Sequence, residues 1–304
     1  RSSSSAFPTA ELGVFVSPVA GSGALHVDEI VAGGPFDNSR TKLQKGSLIT
    51  AIDGEKLEAG KDYFPLLNDK VGKRLLVSFR TASGEQVDEV IRPISSSALN
   101  DLLYKRWVKQ RAEEVERVSK GTLGYVHIPS MGDPSFRTVY SDVMGKYYQK
   151  KGIVIDIRYN GGGRLHEDIE AFFTGKHYAD QVVRDHQYSE MSSRRWNRPS
   201  VLVTCEADYS NAHGTPWVYQ HLKVGKVVGM PVAGTMTSVN WVTLLDPSVY
   251  FGIPAVGFRL LDGRYLENTQ MEPDVVVPLD PTKVLQGVDT QIEKAVEVLR
   301  AETK

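Results

Sequence analysis

Ile153-Val154-Ile155-Asp156-Ile157-Arg158-Tyr159-Asn160-Gly161-Gly162-Gly163 is the stretch on which the fold turns. Its first five residues, from Ile153 to Ile157, make an almost unbroken apolar run. A strand that meets water on neither face reads this way, whereas a half-buried strand alternates. Three glycines follow, and Leu165 to Phe173 then has a helical pattern. Glycine lacks a Cβ, so backbone N–H groups can face a ligand there, beside the positive end of a helix dipole. Such a turn suits either a phosphate or the oxyanion of an acyl-transfer intermediate. The phosphate reading lacks support, since the run matches neither G-x-x-x-x-G-K-[ST] nor G-x-G-x-x-G. A plain tight turn between strand and helix would have the same composition.

Working outward, further apolar strand candidates are Leu123 to Ile128, Val201 to Cys205 and Val227 to Val232. Helical stretches include Phe136 to Lys150, and Thr290 to Ala301 with Ile292, Ala295, Val296 and Leu299 on one face. Apolar runs separated by helices imply an α/β domain over residues 121–304, with its sheet covered on both faces. Upstream, Ser95-Ser96-Ser97 can cap a long amphipathic helix from Ala98 to Ser119, closed by Gly121. This makes residues 96–120 a helical linker. Residues 10–95 carry short strand-like runs, such as Gly13-Val14-Phe15-Val16, Leu48 to Ile52 and Leu75 to Phe79. Turn signals separate them, Asp53-Gly54 the strongest, and a helix is expected over Tyr63 to Val71. Residues 1–9, opening Arg1-Ser2-Ser3-Ser4-Ser5, read as a flexible tail or the place where a longer chain was cut.

Composition narrows the function classes. At 304 residues the chain can hold two or three domains. Lys and Arg number 36 against 37 Asp and Glu, so the electrostatic excess that nucleic-acid binding needs is missing. No apolar run reaches the roughly 18 residues of a membrane span. The single cysteine, Cys205, cannot form an internal disulfide and leaves the compartment open.

A second chemical constellation is Thr204-Cys205-Glu206-Ala207-Asp208-Tyr209-Ser210-Asn211-Ala212-His213-Gly214. It too follows a buried strand and precedes a helix, expected over Gly214 to Leu222. A serine near a helix start is exposed, and the dipole favours its alkoxide. Serine is equally common there as a simple N-cap.

Gly121 to Pro129, Val154 to Gly163 and Glu272-Pro273-Asp274-Val275 occur in one order and together resemble the tricorn-like serine peptidases. These form a branch of the C-terminal processing peptidase superfamily. The resemblance extends through the helix around Trp107, the Ser210 loop and Gly287 to Ile292, and so covers nearly the whole chain. It implies a PDZ-like domain followed by an α/β catalytic domain of crotonase-like fold. It further implies Ser210 as nucleophile, Gly162 as one oxyanion donor with Gly161 as alternative, and the amide of Asn211 as the other. Glu267 would be the carboxylate that orients the catalytic group activating the serine.

There are departures from the family pattern. Simpler members pair serine with a lysine, and Gly229 to Val239 contains none. Tricorn-like members take a histidine from a segment before the PDZ-like domain, so the resemblance implies that this chain lacks its base. His213 could act locally, although one helical turn does not put its ring in line with Ser210. His26, His127, His166, His177, His186 and His221 are read as surface or packing histidines. Asp180 and Asp185 lie where relatives keep a carboxylate selecting basic side chains, but an exposed loop aspartate is the default.

The expectation is a peptidase acting on oligopeptides or unfolded proteins through an acyl-enzyme at Ser210, incomplete without the upstream histidine. The competing reading is a peptide-binding scaffold with a degenerate site. A crotonase-like acyl-thioester enzyme would share the oxyanion logic, but the PDZ-like module and the Ser210 loop argue against it. No metal and no cofactor are expected. By resemblance the partners are peptide substrates and a ring-like homo-oligomer such as a hexamer. The resemblance points to the cytoplasm, and the composition suits export to the periplasm equally.

Overall fold

The computed structural model describes residues 8–303, divided into two compact units at Lys109 and Gln110. Most of the expected tail, residues 1–7, lies outside the described residues. Pro8 and Thr9, counted with it, are instead engaged: Asp69 N donates to Pro8 O and Thr9 bridges Asn68.

The first unit is antiparallel. Its strands are β1 (Val14–Pro18), β2 (Leu25–Ile30), β3 (Leu48–Ile52), β4 (Glu55–Lys56), β5 (Leu75–Arg80) and β6 (Gln86–Ile91). They lie in the order β1-β2-β3-β5-β6, with β4 paired to β3. Asp53 and Gly54 both have positive φ, so the Asp-Gly pair makes the two-residue hairpin turn its chemistry favours. Val27, Phe36, Ile49, Ile52, Leu75, Val77 and Phe79 close the core. The helix expected from Tyr63 to Val71 is only a 3₁₀ turn, Phe64–Leu67. Thr9 draws Asn68 into an extended bridge, and Asp69 follows with φ of 59°, so the helix cannot continue.

α1 (Ser96–Ser119) runs across the division between units, and Ser95 Oγ accepts the N–H of Ala98 at its start. Within the second unit its Glu114 takes the N–H of Asp289, and its Arg111 contacts the Asp289 carboxylate.

The second unit carries β7 (Leu123–His127), α2 (Asp133–Ser141), β8 (Gly152–Asp156), α3 (His166–Phe173) and the hairpin β9 (Ala179–Val183) with β10 (His186–Met191). There follow β11 (Ser200–Thr204), α4 (Asn211–His221), β12 (Lys226–Gly229) and the hairpin β13 (Ser238–Thr243) with β14 (Tyr250–Val256). β15 (Val275–Val276), α5 (Pro281–Leu285) and α6 (Thr290–Glu302) complete it. Five strands form a parallel sheet in the order β15-β12-β11-β8-β7. Every residue of β8 and β11 is buried, as their apolar runs require. Ile153, Ile155 and Ile157 share a core with Ile169 and Phe172 of α3 and Ala212 and Tyr219 of α4. Val154, Val201, Val203 and Val228, on the alternate positions, are equally buried, and α6 packs on these strands. The long helix expected from Phe136 stops at Ser141 and passes through a single π turn, Asp142–Lys146, where Gly145 weakens it.

Beneath the site lies a buried ionic network. Arg158, 1% exposed, donates to Asp156 through Nε and Nη2, and through Nη1 to Asp289 Oδ2 and Gln291 Oε1 at 2.9 Å each. Tyr125 donates its hydroxyl to Asp156 Oδ2. Burial would push the Asp156 carboxyl up, but the guanidinium overcomes it and holds the group below the ordinary range. Asp289 Oδ1 caps α6, accepting from Gln291 N and Ile292 N.

Candidate active site

In a parallel sheet, chemistry gathers where strands end and loops begin. The turn after β8 and the loop after β11 leave neighbouring strands, so they meet. Tyr159 has φ of 66°, Gly162 97° and Gly163 141°, and the last two values suit only glycine. A Cβ built on Gly162 would lie 2.6 Å from Ser210 Cβ and 3.1 Å from Asn211 N. Only a bare Cα fits there.

Hydrogen bonding occupies the amide of Gly162, the expected donor. Gly162 gives its N–H to Asn160 Oδ1 at 2.8 Å, so that amide is engaged rather than facing a substrate. Gly162 O accepts from Met131 N at 2.9 Å, and Arg164 N returns a bond to Met131 O at 2.7 Å. In a trans peptide the C=O and N–H point in opposite directions. The N–H of Gly163 therefore points away from Met131, which continues β7. The other neighbour of β8 is β11, whose loop carries Ser210. Among the described residues neither Gly161 nor Gly163 spends its N–H.

Ser210 occupies the residue before α4 with φ of 57° and ψ of −119°. A non-glycine residue in that region is strained and persists only where its surroundings hold it. They do: Ser210 N donates to Thr235 Oγ1 at 3.0 Å, and Ser210 O accepts from His213 N at 2.8 Å. Ser210 Oγ has no hydrogen bond among the described residues. α4 begins at Asn211, earlier than expected, so Ser210 stands at the very opening of the helix. As the first helical residue, Asn211 has no helical acceptor for its N–H. Its side chain is spent elsewhere: Oδ1 accepts from Leu165 N and His166 N, and Nδ2 donates to His166 Nδ1 at 2.8 Å. The start of α3 is thereby tied to the start of α4.

Glu267 reaches the site through the segment that holds Ser210. Its carboxylate accepts from Thr237 N at 2.6 Å, two residues beyond Thr235. Burial raises its pKa, the Thr237 and Met236 donors lower it, and the net result lies below the usual glutamate range. The residue stays ionised at neutral pH. His213 is wholly buried, with Nε2 hydrogen-bonded to Thr269 O at 2.8 Å and Nδ1 unpartnered. Burial keeps its pKa low despite the Thr269 carbonyl and the Glu267 charge. Nε2–H is given to the Thr269 carbonyl, so the unprotonated nitrogen is Nδ1, and no hydrogen bond joins it to Ser210.

The structure brings Ser210, Asn211, the glycine turn and Glu267 into one neighbourhood. His166, read as a packing residue, belongs there too, against Asn211 and with its ring 5.9 Å from that of Phe258. His26 and His177 pair with Asp28 and Asp180, His221 stacks on Trp217, and His127 contacts Arg158 O. Asp180 and Asp185 lie on the exposed hairpin β9–β10 or its turn. Sequence reasoning missed Asn160, Asp208 and Thr235, whose roles rest on contacts between distant loops. The stretch searched for a lysine, Gly229 to Val239, supplies Thr235 instead. Among the described residues no cluster could hold a metal ion, and no helix is long and apolar enough to cross a membrane.

Residues 122–277 match the family model described as peptidase family S41. The chain belongs to that family. This S41 chain is 27% identical over 261 residues to the Tricorn protease of Thermoplasma acidophilum, covering 85% of this chain and 24% of that protein. It is 26% identical over 269 residues to the Tricorn protease homolog of Saccharolobus solfataricus, covering 87% and 24%. The chain thus spans about a quarter of the length of the curated relatives it matches. A crystal structure of the tricorn protease superposes with a TM-score of 0.81 at 24% identity, over 97% of this chain and 29% of the other. The likeness to the tricorn structure is one of fold, and the family match places residues 122–277 among the S41 peptidases.

Proposed function

We propose that this chain carries the nucleophile and oxyanion hole of a serine peptidase. Ser210 Oγ attacks a peptide carbonyl and its proton passes to a base. The tetrahedral oxyanion takes hydrogen bonds from the N–H groups of Asn211 and Gly163. Collapse expels the protonated amine and leaves an ester on Ser210, which water hydrolyses. Glu267, ionised and held by Thr237, orients the group that receives the proton. In this reading that group is a histidine outside these 304 residues, as the resemblance implies. The same reading takes the second unit as crotonase-like and the first as PDZ-like, with β1 at a sheet edge where an extended chain end could add. Oligopeptides or unfolded chains are then the substrates, and a ring-like homo-oligomer the assembly.

One observation carries the proposal. Ser210 is held in a strained conformation at a helix start, with an uncommitted hydroxyl, against a glycine that nothing larger could replace. A second reading, a peptide-binding scaffold, draws support from the missing base contact at Ser210 Oγ. A fluorophosphonate applied to the complete protein separates the two. Labelling at Ser210, with Ser210→Ala lowering peptide turnover by several orders of magnitude, is expected for the peptidase. This chain alone should turn over about 10²–10⁴-fold more slowly than the complete protein, the usual contribution of a general base. Labelling at another serine with Ser210→Ala fully active would overturn the assignment. No labelling and no turnover would favour the scaffold.

A further inference from the structure

Asn160 is wholly buried and uses every polar group it has. Its Nδ2 donates to Ile128 O at 2.8 Å, and its Oδ1 accepts from Gly162 N at 2.8 Å. Its N–H is shared between Ile157 O at 3.1 Å and Asp208 Oδ1 at 3.2 Å, and its carbonyl accepts from Tyr209 N at 2.9 Å. Ile128 follows β7, Asn160 follows β8, and Asp208 and Tyr209 follow β11. One side chain and its backbone therefore pin three adjacent strand ends together. Asp208, 2% exposed, completes the pin: Oδ2 accepts from Cys205 N at 3.0 Å and Oδ1 receives the Cys205 thiol at 3.6 Å. Cys205 Sγ in turn accepts from Tyr159 N at 3.3 Å.

We infer that Asn160 and Asp208 are positioning residues that latch the glycine turn to the Ser210 loop, and that Asn160 selects which glycine amide faces the nucleophile. By occupying the Gly162 N–H, Asn160 turns the Gly161–Gly162 peptide inward. Met131 holds the next peptide by its carbonyl, which leaves the Gly163 N–H directed to the β11 side. Tyr209 N on Asn160 O keeps Ser210, the next residue, beside that amide. The chemistry is specific to asparagine. Aspartate would present an acceptor to Ile128 O, alanine would free both ends, and glutamine would be one methylene too long for a wholly buried position. An unsatisfied buried partner is the costly outcome in each case.

The inference rests on Ser210 being the nucleophile, so two readouts are taken in the complete protein. The first is the second-order rate of fluorophosphonate labelling at Ser210. Asn160→Ala and Asn160→Asp should each lower it about 10²-fold, at the lower end of what loss of an oxyanion donor costs. Asp208→Asn, which keeps a carbonyl oxygen for the Asn160 N–H, should lower it less than either. The second is amide hydrogen exchange. Asn160→Ala should remove protection at Gly162, whose N–H is given to the Asn160 side chain, while β8 and β11 stay protected. Unchanged labelling in a folded Asn160→Ala protein, or Gly162 still protected, overturns the latch. If Asn160→Ala does not fold, Asp208→Ala, which removes the acceptor of the Asn160 N–H, decides by its labelling rate and by Asn160 amide exchange, and an unchanged labelling rate with an unchanged Asn160 amide overturns the latch. A wild type unlabelled at Ser210 would instead sink the nucleophile reading, and amide exchange alone would then judge the latch.

Discussion

At the ends of β8 and β11, Asn160, Asp208 and Asn211 are buried with their side-chain polar atoms matched to donors and acceptors on neighbouring loops. Along the hairpin β13–β14 the reverse holds: Trp241, Tyr250 and Phe251 are 65%, 58% and 58% exposed. The hairpin β9–β10 likewise exposes Val182, Val183 and Tyr188. The extensive contacts of each hairpin strand are with its own partner, and two-stranded pairs are marginal when nothing covers them. The same unit thus contains one region over-determined by buried hydrogen bonds and another held by little beyond its own ladder. The strained Ser210 sits in the first. Backbone strain survives only where surrounding contacts are worth more than the strain, which is why the strained Ser210 persists at the strand ends and would not on a hairpin.

That contrast can be broken most easily through Arg158. Removing its guanidinium leaves the buried Asp156 carboxylate with the Tyr125 hydroxyl but without the guanidinium that pairs it, and leaves Asp289 with Arg111. Arg158→Ala should cost about 3–5 kcal/mol, the usual result of breaking a buried pair from one side. Chemical denaturation of the second unit measures it, and a loss below about 1 kcal/mol would mean the strand ends are less tightly determined than argued.

The pH dependence of stability sharpens the contrast further. Burial, outweighing its amide donors, pushes the Asp208 carboxyl up to about 7, with the Asp156 charge adding to the rise. The folded state therefore holds a proton that the unfolded chain, with an ordinary carboxyl near 3.9, has released. Stability from this group is complete below about pH 4 and is lost as pH rises through about 7, a change of roughly 4 kcal/mol. His213 works in the opposite sense, since its folded pKa is lowered: its contribution is lost as pH falls through about 6.5. Asp208→Asn should abolish the first slope and leave the second. Denaturation midpoints from pH 4 to 8 for both proteins check this, and parallel curves would remove Asp208 from the account.

The smallest effect is expected on the hairpin side. Leu245 is fully exposed in the turn between β13 and β14, so Leu245→Ser should change stability by no more than about 0.5 kcal/mol. A loss above about 1 kcal/mol in the same denaturation assay would show that the hairpin is covered and that the contrast is overstated.

The sequence by itself determined an α/β unit with a sheet covered on both faces, because short apolar runs alternating with helical patterns read as strands that meet water on neither face. It determined the glycine turn and the serine loop, since both follow such runs directly, and the Asp53-Gly54 hairpin, whose two positive φ values few residue pairs accept. Helix ends were less legible: Asn68 was drawn from a helix by Thr9, a partner 59 residues away. Local propensity carries no trace of such a partner. The hairpins β9–β10 and β13–β14 also escaped notice, because exposed strands lack the apolar alternation that marks buried ones. The working geometry of the site was decided by tertiary structure alone. Which glycine amide is free depends on Asn160 and Met131, and the conformation of Ser210 depends on Thr235. Hydrogen bonds between loops far apart in the chain have no period and no motif, and they exist only once the sheet has brought the strand ends together.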